Sequence, residues 1–183
     1  MKTFKIIMTV ALFFACVSLT AQVNFSGTWN LNAEKSQFGG GPGGGGPGGG
    51  GPGGGGPGGG GGRMGGGPRV IIQSGNNLSV ETTMRGFDGG EPTKMVTKYT
   101  LDGKPTENTR TSPMGDMTSK STATWSADKK SLTIVTTMSF DGNEMKTTET
   151  WKLSADGKSM TIESVRPGFD GGEMKTTMVY DKQ

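Results

Sequence analysis

Phe25-Ser26-Gly27-Thr28-Trp29-Asn30-Leu31 stands between an N-terminal apolar segment and a long glycine tract. Its side chains alternate: Phe25, Gly27, Trp29 and Leu31 fall on one face, and Ser26, Thr28 and Asn30 on the other. A two-residue period is that of a strand with one buried face. Residues 22–38 therefore read as the first strand of a sheet, with Trp29 at the floor of its core.

The same alternation runs through the chain from residue 69 to 183, with little helical periodicity. One face collects Leu78, Val80, Thr82 and Met84; then Met95, Thr97, Tyr99 and Leu101; then Ser121, Ala123 and Trp125. It continues with Leu132, Ile134, Thr136, Met138 and Phe140; Met145, Thr147, Glu149, Trp151 and Leu153; Met160, Ile162, Ser164 and Arg166; and Met174, Thr176, Met178 and Tyr180. Threonine is frequent on both faces, as suits a β-branched strand former. Turn residues separate the strands, among them Asp102-Gly103, Asp128-Lys129, Asp141-Gly142, Asp156-Gly157 and Asp170-Gly171. Asp-Gly supplies the positive φ of a tight hairpin, so consecutive strands pair as neighbours.

Register follows from closing these turns. A hairpin at Asp141-Gly142 sets Met138 opposite Met145, Thr136 opposite Thr147, Ile134 opposite Glu149 and Leu132 opposite Trp151. Closing the next at Ala155-Asp156 sets Trp151 opposite Met160 and Glu149 opposite Ile162. One apolar face persists across three strands, as a meander requires. The fold class expected is all-β: a single antiparallel up-and-down barrel of about eight to ten strands, whose closure removes exposed sheet edges.

Met1–Ala21 has a basic head with Lys2 and Lys5, an apolar run from Ile6 to Leu19 and small residues before a cut after Ala21, the pattern of an export signal. The expected location is periplasmic or secreted. Cys16, the single cysteine, leaves with the signal; in the alternative it is acylated and anchors the protein to lipid. No second apolar run follows that could span a membrane. Residues 39–68 are nearly all glycine, with Pro42, Pro47, Pro52 and Pro57 in a five-residue period. Such a tract cannot bury enough apolar surface to offset its ordering entropy, so it is expected to be a disordered loop. A phosphate-cradling loop would need a helix after it, and Arg69-Val70-Ile71-Ile72 reads as strand.

Removing Lys2 and Lys5 from the 19 basic side chains leaves 17 against 16 acidic ones, a net charge of +1. With no basic run to neutralise several phosphates, nucleic-acid binding has no electrostatic footprint. Histidine is absent, and the only cysteine lies in the signal. That excludes a Ser-His-Asp triad, a Cys-His nucleophile and an ordinary zinc site in the mature chain.

Three related segments, Gly86–Glu91, Ser139–Glu144 and Gly168–Glu173, each carry Phe-Asp-Gly-x-Glu and lead into a strand. Two carboxylates per segment fall short of the six to eight oxygens of calcium, so they read as hairpin turns. Methionines at Met114/Met117 and Met174/Met178 have spacings open to copper(I), but adaptable core or cavity filling is the plainer reading. No cofactor or metal is expected, and the protein is not expected to be an enzyme.

Gly27-Thr28-Trp29 on a first strand, followed by a long loop and a meander, resembles the Gly-x-Trp signature of lipocalins and other calycin barrels. Residues 25–36 and the block from Glu149 to Lys158 are similar to small secreted bacterial proteins of lipocalin-like kind. The resemblance implies a calycin-type barrel. A barrel of about eight to ten strands has room for a cavity, so the expected function is to hold a small hydrophobic ligand, apolar or amphipathic, in the interior of a monomer. The resemblance also implies that an arginine from a late strand packs across the signature tryptophan; Arg166 is the candidate, so that Gly27, Trp29 and Arg166 close the barrel. The inward set then nominates Glu149, Trp151, Trp125, Tyr99, Met138, Met145 and Met178 as ligand contacts, with Glu149 as the polar anchor. A filled barrel acting as a structural or protein-interaction module is the alternative.

Overall fold

The computed structural model describes residues 22–38, 68–84, 92–112, 115–140, 143–168 and 171–183. The export segment with Cys16, the glycine tract from 39 to 67, and Asp88, Glu91, Met114, Asp141 and Asp170 lie outside the described residues. Ten strands follow one another: β1 (Gly27–Gln37), β2 (Arg69–Ser74), β3 (Asn77–Met84), β4 (Thr93–Thr100), β5 (Pro105–Ser112), β6 (Gly115–Trp125), β7 (Ser131–Phe140), β8 (Asn143–Leu153), β9 (Ser159–Pro167) and β10 (Glu173–Lys182). Every neighbouring pair is antiparallel, in the order β4-β3-β2-β1-β10-β9-β8-β7-β6-β5. This is the up-and-down barrel that the alternation demands.

The two outer strands of that order, β4 and β5, meet without a backbone ladder. Their join is made by side chains. Lys98 N donates to Asn108 Oδ1 and Asn108 Nδ2 donates back to Lys98 O, both at 2.9 Å. A primary amide carries a donor and an acceptor, so Asn108 replaces one rung of a ladder. Thr100 N donates to Thr106 Oγ1 at 3.0 Å as a second rung.

The interior has two zones. At the end where β1 begins, Phe25, Trp29, Leu78, Leu101, Leu132, Trp151, Met160 and Tyr180 form a continuous buried core. Further along the same inward faces come Thr97, Ser119, Ser121, Thr136, Met138 and Thr147. The outward faces carry Lys94, Lys98, Glu107, Lys152 and Glu163, all exposed. A membrane-spanning barrel would present an apolar band there instead. No helix among the described residues is long and apolar enough to cross a membrane.

The floor is closed by the segment before β1. Val23 N reaches Lys129 O in the β6–β7 turn at 3.2 Å, while Gln73 of β2 accepts from Phe25 N and donates to Val23 O. This drives the Phe25 ring inward, stacked on Trp125 at 5.9 Å and edge-on to Trp151 at 5.8 Å. Trp29 Nε1 donates to Phe25 O at 2.9 Å, so the fully buried indole keeps its hydrogen bond. Gly27 sits between the two rings with φ +146°, and a Cβ there would lie 2.7 Å from Lys182 Cε.

Three sequence expectations change. Phe25 precedes the first strand instead of lying in it, since the chain reorients at Gly27. β5 is a strand that alternation does not indicate, because Thr106, Asn108 and Arg110 give its inward face no apolar signal. The β7–β8 register is as derived, whereas β8–β9 is two residues off: Trp151 faces Ile162 and Glu149 faces Ser164. The cause is a longer turn in which Ser154 Oγ donates to Asp156 Oδ1 and accepts from Ser159 N. An even shift leaves every side chain on its expected face. Ser126-Ala127-Asp128-Lys129-Lys130-Ser131 builds the same turn, with Lys129 at φ 57° where the other has Gly157 at 67°.

Two outcomes follow from this architecture. Gly27→Ala forces a side chain into a φ region used almost only by glycine, and is expected to cost about 1–3 kcal/mol, read from the denaturant midpoint. Asp128 and Asp156 are held below the usual carboxylate range, first by the serine hydroxyl in each turn and then by a backbone N–H; Asp181 is lowered first by the Asn32 amide. Depressed native values add stability that is fully present above the unfolded value, about 4, and lost as pH falls below it. Melting temperature should drop in that window, and Asp128→Asn with Asp156→Asn should flatten the drop.

Candidate functional site

Above the packed floor lies a cavity of about 270 Å³. Its walls come from β4, β5, β6, β7 and β8. Met95, Val96, Met117, Met138 and Tyr99 give the apolar part, and Asn108, Ser121, Thr136, Thr147 and Glu149 the polar part. Ser121 and Thr136 satisfy one another across β6 and β7 at 2.9 Å. Glu149 projects inward because its neighbours on β8, Thr148 and Thr150, take the outer face, and the register sets it beside Ile134 and Ser164. Its Oε2 accepts from Trp151 Nε1 at 2.9 Å. A carboxylate has room for about four such bonds, so acceptor capacity is left on the cavity side.

A second interior charge stands nearby. Arg69, at the start of β2, is buried with its guanidinium 4.9 Å from the Tyr180 ring centroid and 5.9 Å from that of Trp151. Contacts of this kind offset part of the cost of burying a cation. Its Nε has no hydrogen-bond partner among the described residues. Arg69 and Glu149 act oppositely on the tyrosines between them. Tyr99 keeps some accessible surface where it lines the cavity, yet protein surrounds it. Burial raises its hydroxyl well above the usual tyrosine value, the Glu149 charge raises it further, and Arg69 opposes. Tyr180 is raised as well, again by burial first.

Of the seven nominated contacts, the cavity brings together Tyr99, Met138 and Glu149. Trp151 lies beneath it in the core, reaching the site through its hydrogen bond to Glu149. Trp125 packs on Phe25 in the floor, and its buried Nε1 has no hydrogen-bond partner among the described residues. Met178 takes the Tyr180 hydroxyl on its sulfur at 3.7 Å. Met145 pairs with Met138 in register but is 45% exposed.

The closure expectation needs correction for Arg166. It lies toward the opposite end of β9, where its Nη2 contacts Met174 Sδ at 3.1 Å. The cation against Trp29 is Lys182, with Nζ 5.3 Å from the ring centroid. Strand order, which alternation does not supply, decides this: β10 ends beside the start of β1.

Sequence reading missed Arg69 and, in the lining, Val96, Asn108, Thr109, Arg110 and Ser119, whereas Met117 agrees with its reading as core or cavity filling. Arg69 shares the face of Ile71 and could have been read from alternation. The β5 group had no such signal. No group of three or more metal-ligating His, Cys, Asp or Glu side chains occurs among the described residues.

No protein-family model and no curated protein matches this chain. Among solved structures it is similar to the zebrafish ileal bile acid-binding protein in complex with cholic acid. The TM-score is 0.39 at 18% identity, over 63% of this chain and 72% of that one.

The chain has two tyrosines, and both are affected. Raised native values mean that stability is constant below the unfolded value near 10 and declines as pH climbs past it. Phenolate absorbance should therefore lag an unfolded control, and Glu149→Gln should let Tyr99 ionise at lower pH.

Proposed function

We propose that this protein is an exported carrier whose barrel holds one small amphipathic molecule above the floor, with its polar end at Glu149. The observation that carries this reading is the cavity. Its 270 Å³ lies just under the roughly 300–1,000 Å³ of ligand pockets, and its lining pairs apolar walls with a few convergent polar groups. A filled structural module would extend the packing of the floor through the barrel. The change from Leu, Ile and Trp below to Met, Thr and Ser above favours a space kept open. Three methionines supply pliable walls suited to ligands of varied shape.

Chemically, the site binds. Glu149 already accepts one bond and can only accept more, which selects a ligand whose polar end donates, such as an amine or a hydroxyl. The other lining polar groups are hydroxyls, the Asn108 amide and the Arg110 guanidinium. Export rests on Met1–Ala21, and a periplasmic or secreted carrier acting as a monomer fits that reading.

Native mass spectrometry of protein purified from its own source should show a co-purified small molecule. With octylamine as the probe, Glu149→Gln should weaken binding about ten- to a hundredfold, the worth of a charge-assisted hydrogen bond, while circular dichroism stays unchanged. Equal octylamine affinity in the two proteins would remove Glu149 from the site.

A further inference from the structure

The cavity is lined from both faces of the two strands that share no backbone ladder. On β4 it touches inward Met95, Thr97 and Tyr99 but also outward Val96; on β5 it touches inward Asn108 and Arg110 but also outward Thr109. In a laddered sheet the hydrogen-bonded backbones, about 4.8 Å apart, seal one face from the other. Here the side-chain rungs are confined to one end of the seam. They join Lys98 and Thr100 to Asn108 and Thr106, next to the short turn that connects the strands. Among the described residues, no hydrogen bond crosses from Thr93–Thr97 to β5. Val96, 49% exposed, stands at the outer edge of this unbonded stretch.

We propose that the ligand lies across the barrel wall at this seam. The donating end sits inside at Glu149, and an apolar tail passes Met95 and Met117 to emerge between Val96 and Thr109. The inference rests on the carrier reading and narrows it to a ligand class. A slot between two strands is narrow in one direction and long in the other, so it admits an extended single chain and rejects a fused-ring body. The ligand is then a linear amphiphile longer than the enclosed volume, and its tail length is read by Val96 and Thr109.

The test is a calorimetric series of octylamine, dodecylamine and hexadecylamine, kept below their micellar concentrations, against the full chain. Each methylene buried should tighten binding roughly three- to fourfold. The expected result is a gain that continues past octylamine in the native protein. Val96→Trp and Thr109→Trp, both at outward positions, should each cut the hexadecylamine gain at least tenfold relative to octylamine. Two variants guard against one that fails to fold, which circular dichroism would reveal. A series in which octylamine binds but longer chains do not would overturn the seam placement and leave an enclosed carrier. So would a chain-length gain that both tryptophan variants leave intact, since the tail would then leave elsewhere. No binding of any amine to the native protein would overturn the carrier reading itself and this inference with it.

Discussion

One hydrogen bond, from the Trp29 indole to the Phe25 carbonyl, ties the floor of this barrel together. Trp29 is completely buried, and an indole N–H without a partner there would carry the full desolvation penalty of a lost bond. The acceptor lies four residues back in the chain, so the bond forms only if the backbone reorients between the two rings. Gly27 is the residue that allows it. Once Phe25 is turned inward, Trp125 and Trp151 have a ring to pack against, and the ends of β6 and β8 are fixed relative to β1. The N-terminal segment thereby joins strands that are far apart in the sheet order.

What the sequence made legible was the set of facing side chains, because a period of two is insensitive to everything except which face is buried. The β8–β9 hairpin shows how far this goes. Its turn is longer than assumed, yet Trp151, Met160 and Ile162 remain inward, since only an odd slip would reverse them. Spatial neighbours across non-consecutive strands were not legible. Arg166 and Lys182 both lie near the C-terminal ends of late strands, β9 and β10, and only the pairing of β10 with β1 decides which of them meets Trp29. β5 was illegible for a different reason. A strand is found by its apolar face, and Thr106, Asn108 and Arg110 provide none.

That same lack of an apolar face is what β5 contributes. Its side chains are spent on a seam where the backbone makes no ladder, and an amide such as Asn108 is the side chain best able to stand in for a peptide group. The strand that sequence patterning overlooks is therefore one of the five that border the cavity. The candidate site was legible in its members on regular strands, Tyr99, Met138 and Glu149. It was hidden in those on the irregular one.

The division of the interior into two zones sets stability and binding apart in space. Aromatic and aliphatic burial is concentrated at the floor, where Arg69 is also held between rings, so the upper walls need not be close-packed for the barrel to persist. Hydroxyls there satisfy one another, as Ser121 and Thr136 do, and leave the space between walls open. Glu149 stands at the boundary: its hydrogen bond to Trp151 anchors it to the floor, and its remaining acceptor capacity belongs to the cavity. A carboxylate in that position couples the two zones. Filling the cavity with a donor would draw on the same carboxylate that raises Tyr99, so occupancy of the site should be felt first at that hydroxyl.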